Sequence, residues 1–393
     1  MKRFQIYLFF MLLVAIFYFV LPINTKVLVN ENNSGNKEVF EIDVPELGKN
    51  CSEVDMMKWK GHLRYTSGPF YDLNVLNRTI DINSLIEKKE SITSLKINSL
   101  KLNELPKELF LFTNLEALDI SDNPFTDLKN VIDKLSQFPK LELLAMNHCG
   151  IQKLPDNLSQ LKHLKGIALN QNIGLFDVNS IAQLKELKYL DLSANKRLMD
   201  LPDSIGNLKC LEQIVLGGSG FTRLREELSN CSNLKEITAN ACNIKDLPIK
   251  IGNLKNLKKL NLGANRIEII PESLGELEQL VNLSLGTNDI SSLPSSISKL
   301  KNLYSMSLEL NRFKTFPTEV LDLEGLRYLN LHNNYIEEIP VEVADLPNLR
   351  RVYLDHEIIT NENIESLRQR NPNLQVERRD ALRLVPSEPK RKN

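Results

Sequence analysis

The chain repeats itself. From about Ile92 to Val376 one phrase recurs, fully written as Leu257-Lys258-Lys259-Leu260-Asn261-Leu262-Gly263-Ala264-Asn265-Arg266-Ile267-Glu268-Ile269-Ile270-Pro271, and it returns at Leu280 to Pro294, Leu303 to Pro317 and Leu326 to Pro340. A short period of this kind means one small unit per copy, stacked edge to edge as a solenoid, because one unit is too thin to bury its own apolar side chains. The repeat overrides the two or three globular domains that 393 residues would otherwise imply. It also biases function toward binding rather than catalysis.

The slot of Asn265 falls at positions 100, 123, 149, 172, 195, 219, 242, 265, 288, 311, 334 and 357, which makes twelve copies; nine of the eleven spacings are 23 and the others are 26 and 24. The slot holds Asn123, Asn172, Asn195, Asn265, Asn288, Asn311 and Asn334, with Cys149, Cys242 and Ser219 as replacements. The end copies depart to Leu100 and Glu357, as ends that face water should. Leu260 and Leu262 flank Asn261 with the alternation of a strand, so both leucines face one way. One strand per copy gives a long parallel sheet. Leu260, Leu262, Ile267, Ile270, Leu274, Leu277 and Leu280 then bury against the neighbouring copies. A buried amide at the Asn265 slot is expected to bond main-chain groups of its own and the adjacent turn. A thiol is small and a weak donor, so Cys149 and Cys242 can stand in for it. Proline at 106, 155, 202, 248, 271, 294, 317 and 340 marks the turn away from the strand and suits the first turn of a short helix. The extra residues after Asn123, from Asn130 to Gln137, read as a longer helix.

The phrase LxxLxLxx[N/C]xIxxLP resembles the leucine-rich repeat, in the 23-residue form of bacterial and plant-type members, across roughly 285 of the 393 residues. The resemblance implies an α/β leucine-rich repeat solenoid. It would be a curved right-handed coil with a parallel concave sheet and an irregular or short-helix convex side. It implies protein recognition as the usual work, with no cofactor.

The strand positions that point away from the core are those of Lys259, Asn261 and Gly263. Read along the copies, these columns are small and neutral in the middle and become aromatic and charged at the C-terminal end. Tyr328, Arg351, Tyr353, Glu309, His332 and Asp355 meet there, with His356 one position further; Tyr189 and Asp191 are further candidates in the middle. Tyrosine and arginine are the residue types that anchor protein interfaces. The adjacent Glu309, His332 and Asp355 form a carboxylate–histidine–carboxylate row. That row has no nucleophile and no second histidine, so it reads as a charge-compensated surface rather than a metal or catalytic site.

With 49 basic and 50 acidic residues the chain offers no electrostatic case for nucleic acid. Its five cysteines form no disulfide framework or metal signature; Cys231 falls in a core slot, Cys210 at the rim and Cys51 outside the repeats. Asn-x-Ser/Thr occurs at Asn32, Asn77, Asn157, Asn230 and Asn282. Asn282 would carry a glycan into the concave face, so these matches read as chance.

Lys2 and Arg3 precede an apolar stretch from Phe4 to Ile23, long enough for a membrane anchor and without the small residues of a cleavage site. The expectation is a signal anchor, with a cleaved export signal as the alternative; either places the repeats outside the cytoplasm. The expected organisation is 1–23 signal segment, 24–50 polar tether, 51–91 N-terminal cap holding Trp59, 92–360 repeats, 361–376 C-terminal cap and 377–393 charged tail. The 17 residues after Val376 and the roughly 68 between Ile23 and Ile92 leave no room in this sequence for an attached catalytic domain. The functional expectation is a non-enzymatic, monomeric binding module outside the cytoplasm. Its partner would be another protein, or a surface polysaccharide. The alternatives are a structural adhesion protein of the cell envelope, and the substrate-recognition part of an enzyme complex.

Overall fold

The computed structural model describes residues 71–72, 83–355 and 360–379. The expected signal segment, tether and most of the expected N-terminal cap lie outside these residues. No helix among the described residues is long and apolar enough to cross a membrane.

Fourteen parallel strands form one open sheet in chain order. They are β1 (Tyr71–Asp72), β2 (Ser94–Lys96), β3 (Ala117–Asp119), β4 (Leu143–Ala145), β5 (Gly166–Ala168), β6 (Tyr189–Asp191), β7 (Gln213–Val215), β8 (Glu236–Thr238), β9 (Lys259–Asn261), β10 (Asn282–Ser284), β11 (Ser305–Ser307), β12 (Tyr328–Asn330), β13 (Arg351–Asp355) and β14 (Gln375–Arg379). Strands β2 to β12 are each three residues long, and the central residue pairs with the equivalent one in the next copy: Leu260 with Leu283, Leu283 with Met306, Met306 with Leu329. That central residue and the one two places on point inward. Leu260 is 1% exposed and Leu262 is fully buried, and one continuous apolar core runs from Ile92 to Leu374.

Opposite the sheet most copies turn through a short 3-10 helix, such as Glu272–Glu276 or Ser295–Lys299. Pro271, Pro294, Pro317 and Pro340 occupy the residue just before that turn, with extended ψ, rather than its first helical position. Proline's missing donor costs nothing there, because the position serves through its carbonyl, as Pro271 O accepts Leu274 N–H at 3.0 Å. The longest copy holds α2 (Leu128–Leu135), which buries Val131, Ile132 and Leu135 and is capped by Asp127. It follows α1 (Asn83–Ile86) in chain order. At the other end α3 (Asn361–Arg370) buries Ile364 and Leu367, and Arg370 clamps Asp345 of the last 3-10 turn through two hydrogen bonds of 2.6 and 2.7 Å.

The chain leaves each of β2 to β12 through a left-handed residue, among them Ala264 (φ 56°), Thr287 (φ 60°) and Leu310 (φ 54°). Such a residue costs a side chain on the order of 1 kcal/mol. The bend aims its N–H at the next turn, as Ala264 N–H to Gly286 O at 2.8 Å. It also brings the following side chain inside. Asn265 Nδ2 donates to Ala239 O and Leu262 O, both at 2.8 Å, and its Oδ1 accepts Ile244 N–H at 3.1 Å. Asn288 and Asn311 repeat this pattern. Cys242 satisfies less: its thiol donates to Leu216 O at 3.4 Å, and burial pushes its pKa up to about 11, so it remains a thiol. Phe221 N–H, the group a Cys242→Asn side chain would accept from, has no partner among the described residues. Cys242→Asn is therefore expected to raise stability by about 1 kcal/mol. Urea unfolding measures this, and slower hydrogen exchange at the Phe221 amide would locate it.

Candidate functional site

Because the register is set by whole copies, the outward side chains fall into straight columns. At the C-terminal end the first column runs Ser305, Tyr328, Arg351, Gln375, and the second runs Ser307, Asn330, Tyr353, Glu377. Arg351 is held from three sides. Its Nε and Nη2 donate to Gln375 Oε1 at 3.0 and 2.6 Å, its Nη1 donates to Tyr353 Oη at 3.3 Å, and Glu377 lies 3.9 Å away. The Tyr353 hydroxyl and the nearby Glu377 carboxylate raise the guanidinium pKa further.

Beside this group Tyr328 meets Tyr304, with ring centroids 5.3 Å apart at 55°, and the Arg327 guanidinium lies 5.4 Å from the Tyr304 ring centroid. Burial, followed by the Tyr328 hydroxyl, raises the Tyr304 pKa. The result is a fixed patch of three tyrosines and two arginines. Its aromatic faces and guanidinium planes are ordered by their mutual contacts rather than by a ligand. Tyr304 and Arg327 are absent from the sequence-derived columns because each precedes its strand by one residue. They share that slot in successive copies, which is the signal that would find them. Gln375 and Glu377 follow from extending the columns one strand beyond the repeats.

The other expected site residues divide. Asp355 is buried and used by the scaffold: its Oδ1 accepts Asn333 N–H at 2.8 Å and its Oδ2 accepts Asn334 N–H at 3.4 Å. Elsewhere a main-chain carbonyl of the next turn does this work, so the carboxylate closes the ladder at its last member. His332 is buried as well, with Nδ1 2.6 Å from Asn333 Nδ2; its Nε2 lies 3.5 Å from Asp355 Oδ1 without hydrogen-bond geometry. Glu309 turns the other way. Its carboxylate occupies the space over Gly286, where a Cβ would collide, and accepts from Ser307 Oγ. The expected exposed row of Glu309, His332 and Asp355 is thus not assembled as such, since two members are buried and the third leans back one strand. No group of three His, Cys, Asp or Glu side chains among the described residues is placed to hold a metal ion. His356 lies outside the described residues.

Tyr189 and Asp191 sit six strands away from this patch, about 29 Å at the usual spacing of a sheet. Both are buried, and Tyr189 Oη donates to Asp191 Oδ2 at 3.3 Å. Off the sheet, a hollow of about 290 Å³ is lined by Phe176, Asp177, Asp200, Asp203 and Arg225. Its charges are already matched, with Arg223 and Arg225 on Asp200 and Arg225 on Asp203.

Known proteins share this repeat. The leucine-rich repeat family pattern matches residues 186–208, 256–277 and 301–359. Among solved structures, an internalin (inlF) from Listeria monocytogenes matches with a TM-score of 0.63 at 23% identity, over 78% of this chain and 95% of its own. The plant peptide hormone receptor RGFR1, solved in complex with RGF2, matches with a TM-score of 0.54 at 25% identity over 70% of this chain. TLR13, solved in complex with ssRNA13, matches with a TM-score of 0.54 at 27% identity over 67% of this chain. The chain spans less than half the length of these two receptors, 45% and 43%. No curated protein sequence matches it. The chain is a leucine-rich repeat protein.

Proposed function

We propose that this chain is a non-enzymatic recognition module that works outside the cytoplasm, binding a protein partner through the outward face of its sheet with the C-terminal patch as anchor. The observation that carries this reading is the ordered cluster of Tyr304, Arg327, Tyr328, Arg351 and Tyr353 on three successive copies. Aromatic and arginine side chains that are already fixed lose little freedom on binding, and this is how a few residues come to dominate an interface. The repeat family's usual role in protein–protein recognition supports the reading, as does RGFR1, whose structure holds RGF2. TLR13 is seen with RNA, but a balance of 49 basic to 50 acidic residues gives this chain no comparable attraction for phosphates. The extracytoplasmic placement rests on Lys2, Arg3 and the apolar run from Phe4 to Ile23.

The test starts with cross-linking in cells and fractionation, which together identify the neighbour and the compartment. Binding of that neighbour is then compared between the wild-type chain and a chain with Tyr328, Arg351 and Tyr353 replaced by alanine. A loss of at least about 100-fold, roughly 2.7 kcal/mol, is expected. Unchanged affinity with an unchanged melting curve would move the site off this patch. Recovery of the chain in the soluble cytoplasmic fraction would defeat the proposed location.

A further inference from the structure

We propose that the open edge of β14 receives an extended segment of a partner protein as one more parallel strand, and that this segment reads apolar, basic, acidic in the places beside Val376, Glu377 and Arg378. This goes beyond the patch of tyrosines and arginines, which the edge adjoins.

Along a parallel ladder successive residues turn their main-chain groups toward opposite neighbours. In the repeats the slot of Leu262 faces the next copy: Leu262 N–H donates to Ser284 O at 2.8 Å, and Leu331 N–H to Tyr353 O at 3.0 Å. Register with Leu354 puts Arg378 in that slot. Val376, two residues earlier, turns the same way. β14 is the last strand and pairs with β13 alone. Val376 N–H, Val376 O and Arg378 N–H therefore face the edge without a partner among the described residues. Gln375, Glu377 and Arg378 are exposed and Val376 is half-buried, so the edge is reachable.

Sheet edges are commonly guarded by shortening them or by placing charge on them. β14 is five residues long, against three in β2 to β12. Its charges are incompletely matched. Glu377 has Arg351 at 3.9 Å as its one ion pair among the described residues, and that guanidinium is already taken by Gln375 and Tyr353. Arg378 donates to Asn361 Oδ1 at 2.8 Å and pairs with no carboxylate among the described residues. Val376, between Gln375 and Glu377, packs against the core and is covered only in part.

These features select the occupant. Main-chain groups at every second residue are met by another extended chain. The junctions leading to β14 are parallel, and parallel register sets each side chain beside its equivalent on the same face. A lysine then stands beside Glu377 on the outward face, with an apolar residue and a carboxylate beside Val376 and Arg378 on the other. A second copy fits less well. A two-fold axis pairs β14 with itself antiparallel, and full overlap of its five residues sets Glu377 against Glu377.

Hydrogen exchange by mass spectrometry over residues 374–379 of the full chain, in mild detergent, tests this with acetyl-Thr-Val-Lys-Glu-Thr-amide added up to about 10 mM, a range suited to weak binding. The Val376 and Arg378 amides are expected to exchange fast in the free chain and at least about fivefold more slowly at saturation. In the added strand the lysine N–H would face Val376 O, whereas the glutamate N–H would point away. N-methylation at the lysine should therefore abolish the slowing, and N-methylation at the glutamate should preserve it. Glu377→Lys should weaken the peptide about tenfold and favour the peptide with glutamate in place of its lysine. No slowing at the highest concentration overturns the proposal, as does equal action of the two N-methylated peptides. Slow exchange already present in the free chain and lost on deleting residues 381–393 also overturns it, because the edge would then belong to the chain's own tail. Slowing that follows protein concentration without peptide overturns it in favour of a second copy. None of these measurements uses the partner that tests the patch, so either claim can fail alone.

Discussion

Asn265→Leu is expected to lower the stability of the solenoid by about 2–4 kcal/mol, although leucine is greater in hydrophobicity. The amide closes three buried main-chain groups, Ala239 O, Leu262 O and Ile244 N–H, at 2.8, 2.8 and 3.1 Å. Leucine leaves Ala239 O and Ile244 N–H without partners in a core that excludes water, while Leu262 O keeps Asn288 Nδ2 at 3.0 Å. Each such orphan costs roughly 1–3 kcal/mol, and the sum is reduced because neighbouring losses are not additive. Asn265→Cys should lose about half as much, since Cys242 shows a thiol in the same slot still reaching a carbonyl of the previous copy. Urea unfolding gives the magnitude. Amide exchange gives the location, with Ile244 and its immediate neighbours accelerated and distant copies unchanged, because each copy touches only its neighbours. A change of less than about 1 kcal/mol for the leucine variant would mean that the ladder is decorative.

The second large effect is expected from Gly275→Leu. This glycine has ordinary backbone angles, so the penalty is one of space alone. A Cβ at Gly275 would lie 2.1 Å from Ser296 O and 2.5 Å from Ser296 Cβ. The atoms in the way belong to the main chain of the next turn and cannot rotate aside. Gly252 and Gly206 are equivalent, with a Cβ 2.3 Å from Ser273 O and 2.7 Å from Glu227 O. Wedging two turns apart is expected to cost about 3 kcal/mol or more. The unfolding transition should broaden, or split into two steps with the break at this junction. Gly174→Ala is the control: its Cβ would meet only Gln152 Cγ at 3.4 Å, and the expected change is within about 0.5 kcal/mol. Equal melting of the two variants would show that close approach of successive turns is not what Gly275 provides.

The sheet was legible in the sequence because its cause is local and repeated. Leu260 and Leu262 alternate with Asn261 in copy after copy, and no single copy can bury its own leucines, so a stacked parallel sheet is the arrangement that satisfies them all. The form of the opposite side was less legible. Short 3-10 turns and short α-helices differ by one hydrogen-bond step, and proline is compatible with either, so Pro271 marked the place but not the geometry. The site was legible as addresses rather than as contacts. Register placed Tyr328, Arg351 and Tyr353 together, but it does not say where a side chain leans. Glu309 swings over Gly286 because that position lacks a Cβ. Asp355 turns onto the main chain, where its carboxylate takes the Asn333 and Asn334 N–H groups. Tyr304 and Arg327 join the patch from outside the strand, where long side chains reach across a column boundary that alternation alone does not cross.

The parallel pairing of every strand with its equivalent in the next copy has a geometric consequence. The sheet lengthens only in whole turns, since the extra residues of the 26- and 24-residue spacings are taken up off the sheet and leave the pairing unchanged. Reach along a ligand is therefore quantised in steps of about 4.8 Å, each bringing a fresh row of three side chains. Adding or removing one turn would change the extent of the outward face by one such step while leaving the flanking copies intact.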